Sequence, residues 1–242
     1  RAPTVLEGLG TTVIRNATGN LQFPRVSTKA TGTGETEVSA DADSGLDMDQ
    51  LTLNPQRVAA KTKYSKQLIL QGGSEIDSLI ANELAAAMNA YVDDFGFDTI
   101  MASTAVNQVV TADDALDAAI VNAMETAVLA DGGNLATSAY VMSPKAYELS
   151  KALAQVSAVN ALWENGQFNM YRAVATPYLV NSVLDAAVGG STVGGNMIFG
   201  NFAQGGILAY FGGIDLLVDP YSDAGTAQIA LHVNRFFDFD LR

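Results

Sequence analysis

Cysteine is missing from this chain altogether, so disulfides, thiolate chemistry and cysteine-ligated zinc are excluded together and the redox compartment is left undetermined. Histidine occurs once, at His232. One imidazole, with no serine in a nucleophile-elbow setting, leaves no catalytic triad to assemble. Alternation along its strand puts His232 on the more polar side, as a structural or solvated residue. Bases are scarce: 13 Lys and Arg stand against 26 Asp and Glu, and the net charge of −13 repels a phosphate backbone rather than holding it. No run of about 18 apolar residues occurs, which excludes a membrane-spanning helix, and no membrane partner is expected. The run Gly189-Gly190-Ser191-Thr192-Val193-Gly194-Gly195 lacks a lysine and a following helix signal, so it reads as a surface turn rather than a phosphate-binding loop.

What is present is enough to bury a core. Of 242 residues, 48% are hydrophobic, which allows one domain or two closely joined lobes. Arg1 to Pro24 mixes glycine, threonine and short apolar stretches without a sustained period and reads as an extended arm. Arg25 to Ala30 and Leu51 to Tyr64 suit two antiparallel, mostly solvated strands. Between them Thr31 to Gln50 is acidic and glycine-rich, and it cannot fold on its own. Ser74-Glu75-Ile76-Asp77 resembles a capping box, after which Ile76, Leu79, Ile80, Leu84, Ala87, Met88, Tyr91, Val92 and Phe95 recur at three- and four-residue steps. The spacing predicts a helix over Ser74 to Phe95, roughly 33 Å long, with Gly96 as its stop. A second helix is expected to open at Thr111-Ala112-Asp113-Asp114 and to run through Leu116, Ile120, Met124 and Val128. Ala139 to Met142 then reads as a strand, followed by a helix capped by Ser143 with Pro144 at its first position. Strands are expected at Tyr178 to Val183, Met197 to Phe199, Gly206 to Phe211, Ile214 to Val218 and Thr226 to Asp240.

Few residues offer chemistry. The pairs Asp93-Asp94 and Asp113-Asp114 point about 100° apart on a helix, so they do not converge on one substrate atom and read as helix-end charges. Asp41, Asp43, Asp47 and Asp49 are spaced somewhat like a calcium loop, but Thr52 stands where an EF-hand needs glutamate. Asn16-Ala17-Thr18 fits a glycosylation sequon, a triplet common by chance. No cofactor, metal or catalytic residue is expected. Lys61, Lys63 and Lys66 form the only local basic group, as suited to a neighbouring subunit's acids as to an anion. The candidate intersubunit residues are Glu35, Glu37, Asp41, Asp43, Asp47 and Asp49 on the loop, with Lys61 and Lys63 beside it.

The order of these parts resembles the major capsid proteins of tailed double-stranded DNA bacteriophages, an HK-ninety-seven-type fold shared with encapsulins. Val58 to Leu70 (VAAKTKYSKQLIL) is similar to the strand entering that family's spine helix. Tyr140-Val141-Met142-Ser143-Pro144 is similar to its strand-to-helix entry. Ile198-Phe199-Gly200-Asn201-Phe202 is similar to its hydrophobic-hydrophobic-Gly-Asp-Phe element, with Asn201 in place of aspartate.

The resemblance implies an α+β phage major-capsid fold. Its parts would be an N-terminal arm (1–24), an extended intersubunit loop (25–66), a peripheral domain with the spine helix (67–110 and 212–242) and an α/β axial domain (111–211). It further implies a mature, non-enzymatic shell protein that forms hexamers and pentamers around double-stranded DNA with weak contact. Portal and decoration or cement proteins are further partners it suggests, with assembly in the host cytoplasm and residence in the virion capsid. It also implies a scaffolding region cut off before Arg1, in keeping with the missing initiator methionine. Some family members weld subunits by a lysine–asparagine isopeptide bond helped by a glutamate. Aligned through Arg235, the asparagine falls on Thr226 and the glutamate on Val233, so no weld is expected. An encapsulin compartment shell remains an alternative, and a carboxylate-dependent hydrolase or a secreted adhesin are more remote ones.

Overall fold

The computed structural model describes residues 4–30, 45–72, 74–103, 106, 116, 118–156, 163–164, 166–179 and 196–242. Two sheets and one long helix organise them. The first sheet has four strands in the order β1 (Thr12–Ala17), β10 (Gly206–Asp219), β11 (Gln228–Leu241), β4 (Gln56–Ser65). β1 runs parallel to β10, and the other pairs are antiparallel. The second has five short strands, in the order β6 (Trp163–Glu164), β7 (Gln167–Phe168), β8 (Tyr171–Ala175), β5 (Ala139–Met142), β9 (Met197–Gly200). A separate hairpin pairs β2 (Leu21–Thr28) with β3 (Asp47–Leu53).

The long helix, α3 (Ser74–Ala102), follows the short helix α2 (Lys66–Gly72) and packs against β11 and β4. Its buried stripe, Leu84, Met88, Val92, Phe97 and Ile100, advances mostly by four or five residues and meets Leu231, Val233, Phe237 and Phe239 of β11. Leu79 and Tyr91, expected on the same face, are mostly exposed. The helix also passes its expected stop: 29 residues at about 1.5 Å each give some 43 Å. Gly96 lies inside it because Leu6 fills the space beside it, and a Cβ there would sit 2.3 Å from Leu6 Cδ1. The capping-box side chains at Ser74, Glu75 and Asp77 lie outside the described residues.

The reading of Arg1 to Pro24 as an arm is overturned for residues 4–17. Thr4 caps α1 (Val5–Gly8), Leu6 is fully buried against the spine, and β1 extends the sheet beside β10. Its partners are distant in sequence, so no local period announced it. The expected strand from Leu51 to Tyr64 divides at Asn54-Pro55 into β3 and β4, which belong to different sheets. Nor are its apolar residues solvated: Leu51, Leu53 and Val58 are buried.

β5 is buried on both faces, which accounts for its unbroken apolar run. Ala139 and Val141 join the spine core, whereas Tyr140 and Met142 face Val121 of α4 (Ala118–Ala130), Ala146 of α5 (Pro144–Val156) and Phe168. α5 starts as expected, with Ser143 Oγ accepting from Ala146 N–H at 3.2 Å. The Tyr140 hydroxyl donates to Glu125 at 2.7 Å, and Asn169 donates to the same oxygen at 2.6 Å. Burial and the Glu125 carboxylate push the Tyr140 hydroxyl well above its ordinary pKa.

The expected opening of α4 at Thr111, the pair Asp113-Asp114 and residues 180–183 of the expected strand lie outside the described residues. β8 is a strand that alternation did not suggest. Gly206 to Phe211 and Ile214 to Val218 are two halves of β10, joined through Gly212 at φ +70°, where the register with β11 shifts.

Candidate assembly surfaces

Directly opposed residues of an antiparallel pair share a face. On one face of the hairpin, Leu21 opposes Leu53 and Phe23 opposes Leu51; this face packs on Ala17, Ile207, Ala209 and Phe211. The base of the hairpin is therefore part of the core. Farther out the same face carries Arg25 and Asp49, paired at 2.8 Å. The Gln50 N–H and the Arg25 guanidinium hold the Asp49 carboxyl below its ordinary pKa. The other face pairs Val26 with Met48, and both are exposed, at 51% and 64%, as is nearby Leu46. Lys29 reaches from the hairpin to the Asp131 carbonyl at the end of α4.

Of the candidate contact residues, Asp47 and Asp49 lie on β3 and are exposed. Glu35, Glu37, Asp41 and Asp43 lie outside the described residues, as does most of the calcium-like loop. Lys61 and Lys63 are not on the projecting loop but on β4, within the four-stranded sheet. Lys63 is paired with this chain's own Asp223 at 2.7 Å, and Lys61 lies opposite His232. Lys61 and Lys63 thus lie in a different sheet from Asp47 and Asp49.

Sequence reasoning missed a second surface. β1 stops pairing with β10 at Phe211, and beyond that point β10 pairs only with β11 among the described residues. Along this half Ile214, Leu216, Leu217 and Val218 are exposed at 37–56%. An open apolar strand edge is a template for pairing with another chain. The signal was available as the run Ile214-Asp215-Leu216-Leu217-Val218, whose apolar residues do not alternate. At its end Asp219 accepts from the Ser222 hydroxyl and from the N–H groups of Tyr221 and Ser222, which lowers its pKa to about 2.

Asp93, taken above for a helix-end charge, sits mid-helix and is 3% exposed. Its two oxygens accept from the N–H groups of Val5 and Leu6, at 2.8 and 3.1 Å, and so tie the front of the chain to the spine. Burial raises its pKa against those two hydrogen bonds. Among the described residues no group of three or more His, Asp or Glu is placed to hold a metal ion. Thr226 donates its hydroxyl to the Asp223 carbonyl, and Val233 is buried in the spine core; neither presents an amide or a carboxylate.

A family model described as the phage capsid family matches residues 4–242. The major capsid protein of Halomonas phage phiHAP-1 is 25% identical over 99% of this chain, which spans 39% of that relative's length. Among solved structures, the capsid of an empty GTA particle superposes with a TM-score of 0.71 at 16% identity, over 100% of this chain and 87% of that one. A chain from Mycobacterium phage Ogopogo does so with a TM-score of 0.69 at 14% identity, over 100% and 92%. These likenesses establish a shared α+β fold, and the match over nearly all of the sequence establishes the kinship: this chain belongs to the phage capsid family.

Proposed function

We propose that this chain is a major capsid protein that assembles into hexamers and pentamers of an icosahedral shell around double-stranded DNA. The observation that carries the reading is the pair of apolar surfaces left in water by a lone chain, at Val26, Leu46 and Met48 on the hairpin and at Ile214 to Val218 on the open edge. Both have regular backbone and a well-packed base, so neighbouring copies can cover them without refolding. The acidic residues Glu35, Glu37, Asp41, Asp43, Asp47 and Asp49 contact an adjacent subunit, and Lys61 faces a neighbour from β4. With a net charge of −13 the shell touches the genome weakly, so packaged DNA can slide. Portal and decoration proteins are its other partners, and assembly takes place in the host cytoplasm.

Sedimentation under native conditions, followed by negative-stain microscopy, tests this. Closed particles built from hexamers and pentamers are expected. A monodisperse monomer at every concentration tried would sink the reading.

A further inference from the structure

A cavity of about 380 Å³ lies between the first residues of the chain and the middle of β10. Glu7, Arg15, Asn89, Tyr210, Gly212 and Arg235 are among its lining residues. Its wall is open where β10 loses register: Gly212 and Gly213 carry no side chains, and a Cβ on either would meet nothing within 4 Å. The Arg235 guanidinium carbon lies over the Tyr210 ring, 3.4 Å from its centroid, and the side chain donates to Asn89 at 3.4 Å. Arg15 stands at the rim, paired with Glu7 at 3.3 Å.

Tyr210 is 2% exposed, yet its hydroxyl has no hydrogen-bond partner of good geometry among the described residues. Such a group costs about 1–3 kcal/mol when left unsatisfied. Burial lifts its pKa to about 12 against the pull of Arg235, and Glu7 and Thr4 lie close enough to act on it without a well-aligned bond, so at neutral pH it remains a donor. The lining carries two guanidiniums and one carboxylate, inside a chain whose net charge is −13.

We propose that this pocket receives a carboxylate presented by an acidic side chain of a second copy of this chain, with Arg15 and Arg235 supplying charge and the Tyr210 hydroxyl an oriented hydrogen bond. A planar, singly charged group matches the guanidinium fork. A polyanion does not, and the overall charge repels it. The second copy as the source rests on the shell-forming reading, whereas the chemistry of the pocket does not.

The test uses the full chain and glutarate, each end of which separately presents the same singly charged carboxylate as a glutamate side chain. At about 50 mM, against chloride of equal ionic strength, glutarate is expected to raise the melting temperature of the unassembled parent by about 2–4 °C. Arg15→Gln and Tyr210→Phe are expected to abolish that shift. Tyr210→Phe alone should melt close to the parent, because its hydroxyl makes no well-formed hydrogen bond that the change would remove. An equal glutarate shift in all three proteins, no shift in the parent, or a markedly lower melting temperature for Tyr210→Phe overturns the proposal.

Sedimentation of the same variants identifies the source of the carboxylate. Assembly that needs about tenfold more protein supports a second copy. Assembly at the parent's concentration, with the glutarate shift lost, overturns the second copy as source in favour of a free carboxylate. If even the parent forms no particle, the shell reading fails, and the glutarate arm still decides the pocket.

Discussion

Asp93 illustrates how one side chain can fix the path of a distant segment. Its carboxylate is the partner of two backbone donors at the start of α1, where the first N–H groups of a helix have no partner within it. Asp93→Ala leaves both N–H groups unpaired in a buried place, an expected loss of about 1–3 kcal/mol in urea denaturation. The pH dependence has a definite sign. Because burial raises the folded-state pKa, the folded chain binds the proton more tightly than the unfolded chain does. Stability therefore falls as pH rises from the ordinary value of 3.8 through the raised one. Asp219 acts in the opposite sense: its contribution is complete above 3.8 and is lost as pH falls towards about 2. Asp93→Asn should flatten the first slope and leave the second; an unchanged profile above pH 3.8 would show that Asp93 does not titrate there. Nothing in the dipeptide Asp93-Asp94 distinguishes the buried acid from its exposed neighbour, since the distinction is made by α1, almost ninety positions earlier.

At the scale of elements, what was legible depended on whether the cause was local. β5 and the start of α5 follow from an apolar run, a capping serine and a proline, all within a few residues, and they stand where expected. The spine was legible by its period, but its true end was not, because Gly96 is accommodated by Leu6 rather than by its own neighbours. β1 was hidden because its partner β10 comes almost two hundred residues later. The hairpin's charged outer part was read as a projecting loop, whereas its base, not read as core, packs on strands distant in sequence. Replacing residues 31–44 by a short linker is therefore expected to leave the melting temperature nearly unchanged while abolishing particle formation. Leu53→Ala removes a fully buried side chain from beneath the hairpin and should cost about 2–5 kcal/mol. Comparable melting by parent and Leu53→Ala would place the hairpin base outside the core.

At the scale of the whole molecule, the positions where a covalent weld was sought carry a hydroxyl tied to its own turn and a buried valine. Subunits are thus expected to be joined by burial and charge alone. Particles boiled in detergent should run as one band at the monomer mass, and a ladder of multiples would reveal a link made by other residues. The candidate pocket was illegible in sequence because Glu7, Arg15, Asn89, Tyr210 and Arg235 come from five elements brought together only by folding.

β10 and β11 each run for 14 residues, about 48 Å at 3.4 Å per residue, and β4 lies alongside β11 over ten of its positions. Tension directed along these strands loads many ladder hydrogen bonds in shear at once, so none yields before its neighbours share the strain. Tension directed across them opens the same bonds singly, like a zipper. The sheet is in that sense a strap with a grain, strong in one direction and weak in the other, and in the proposed shell internal pressure is best resisted when the hoop stress runs along it.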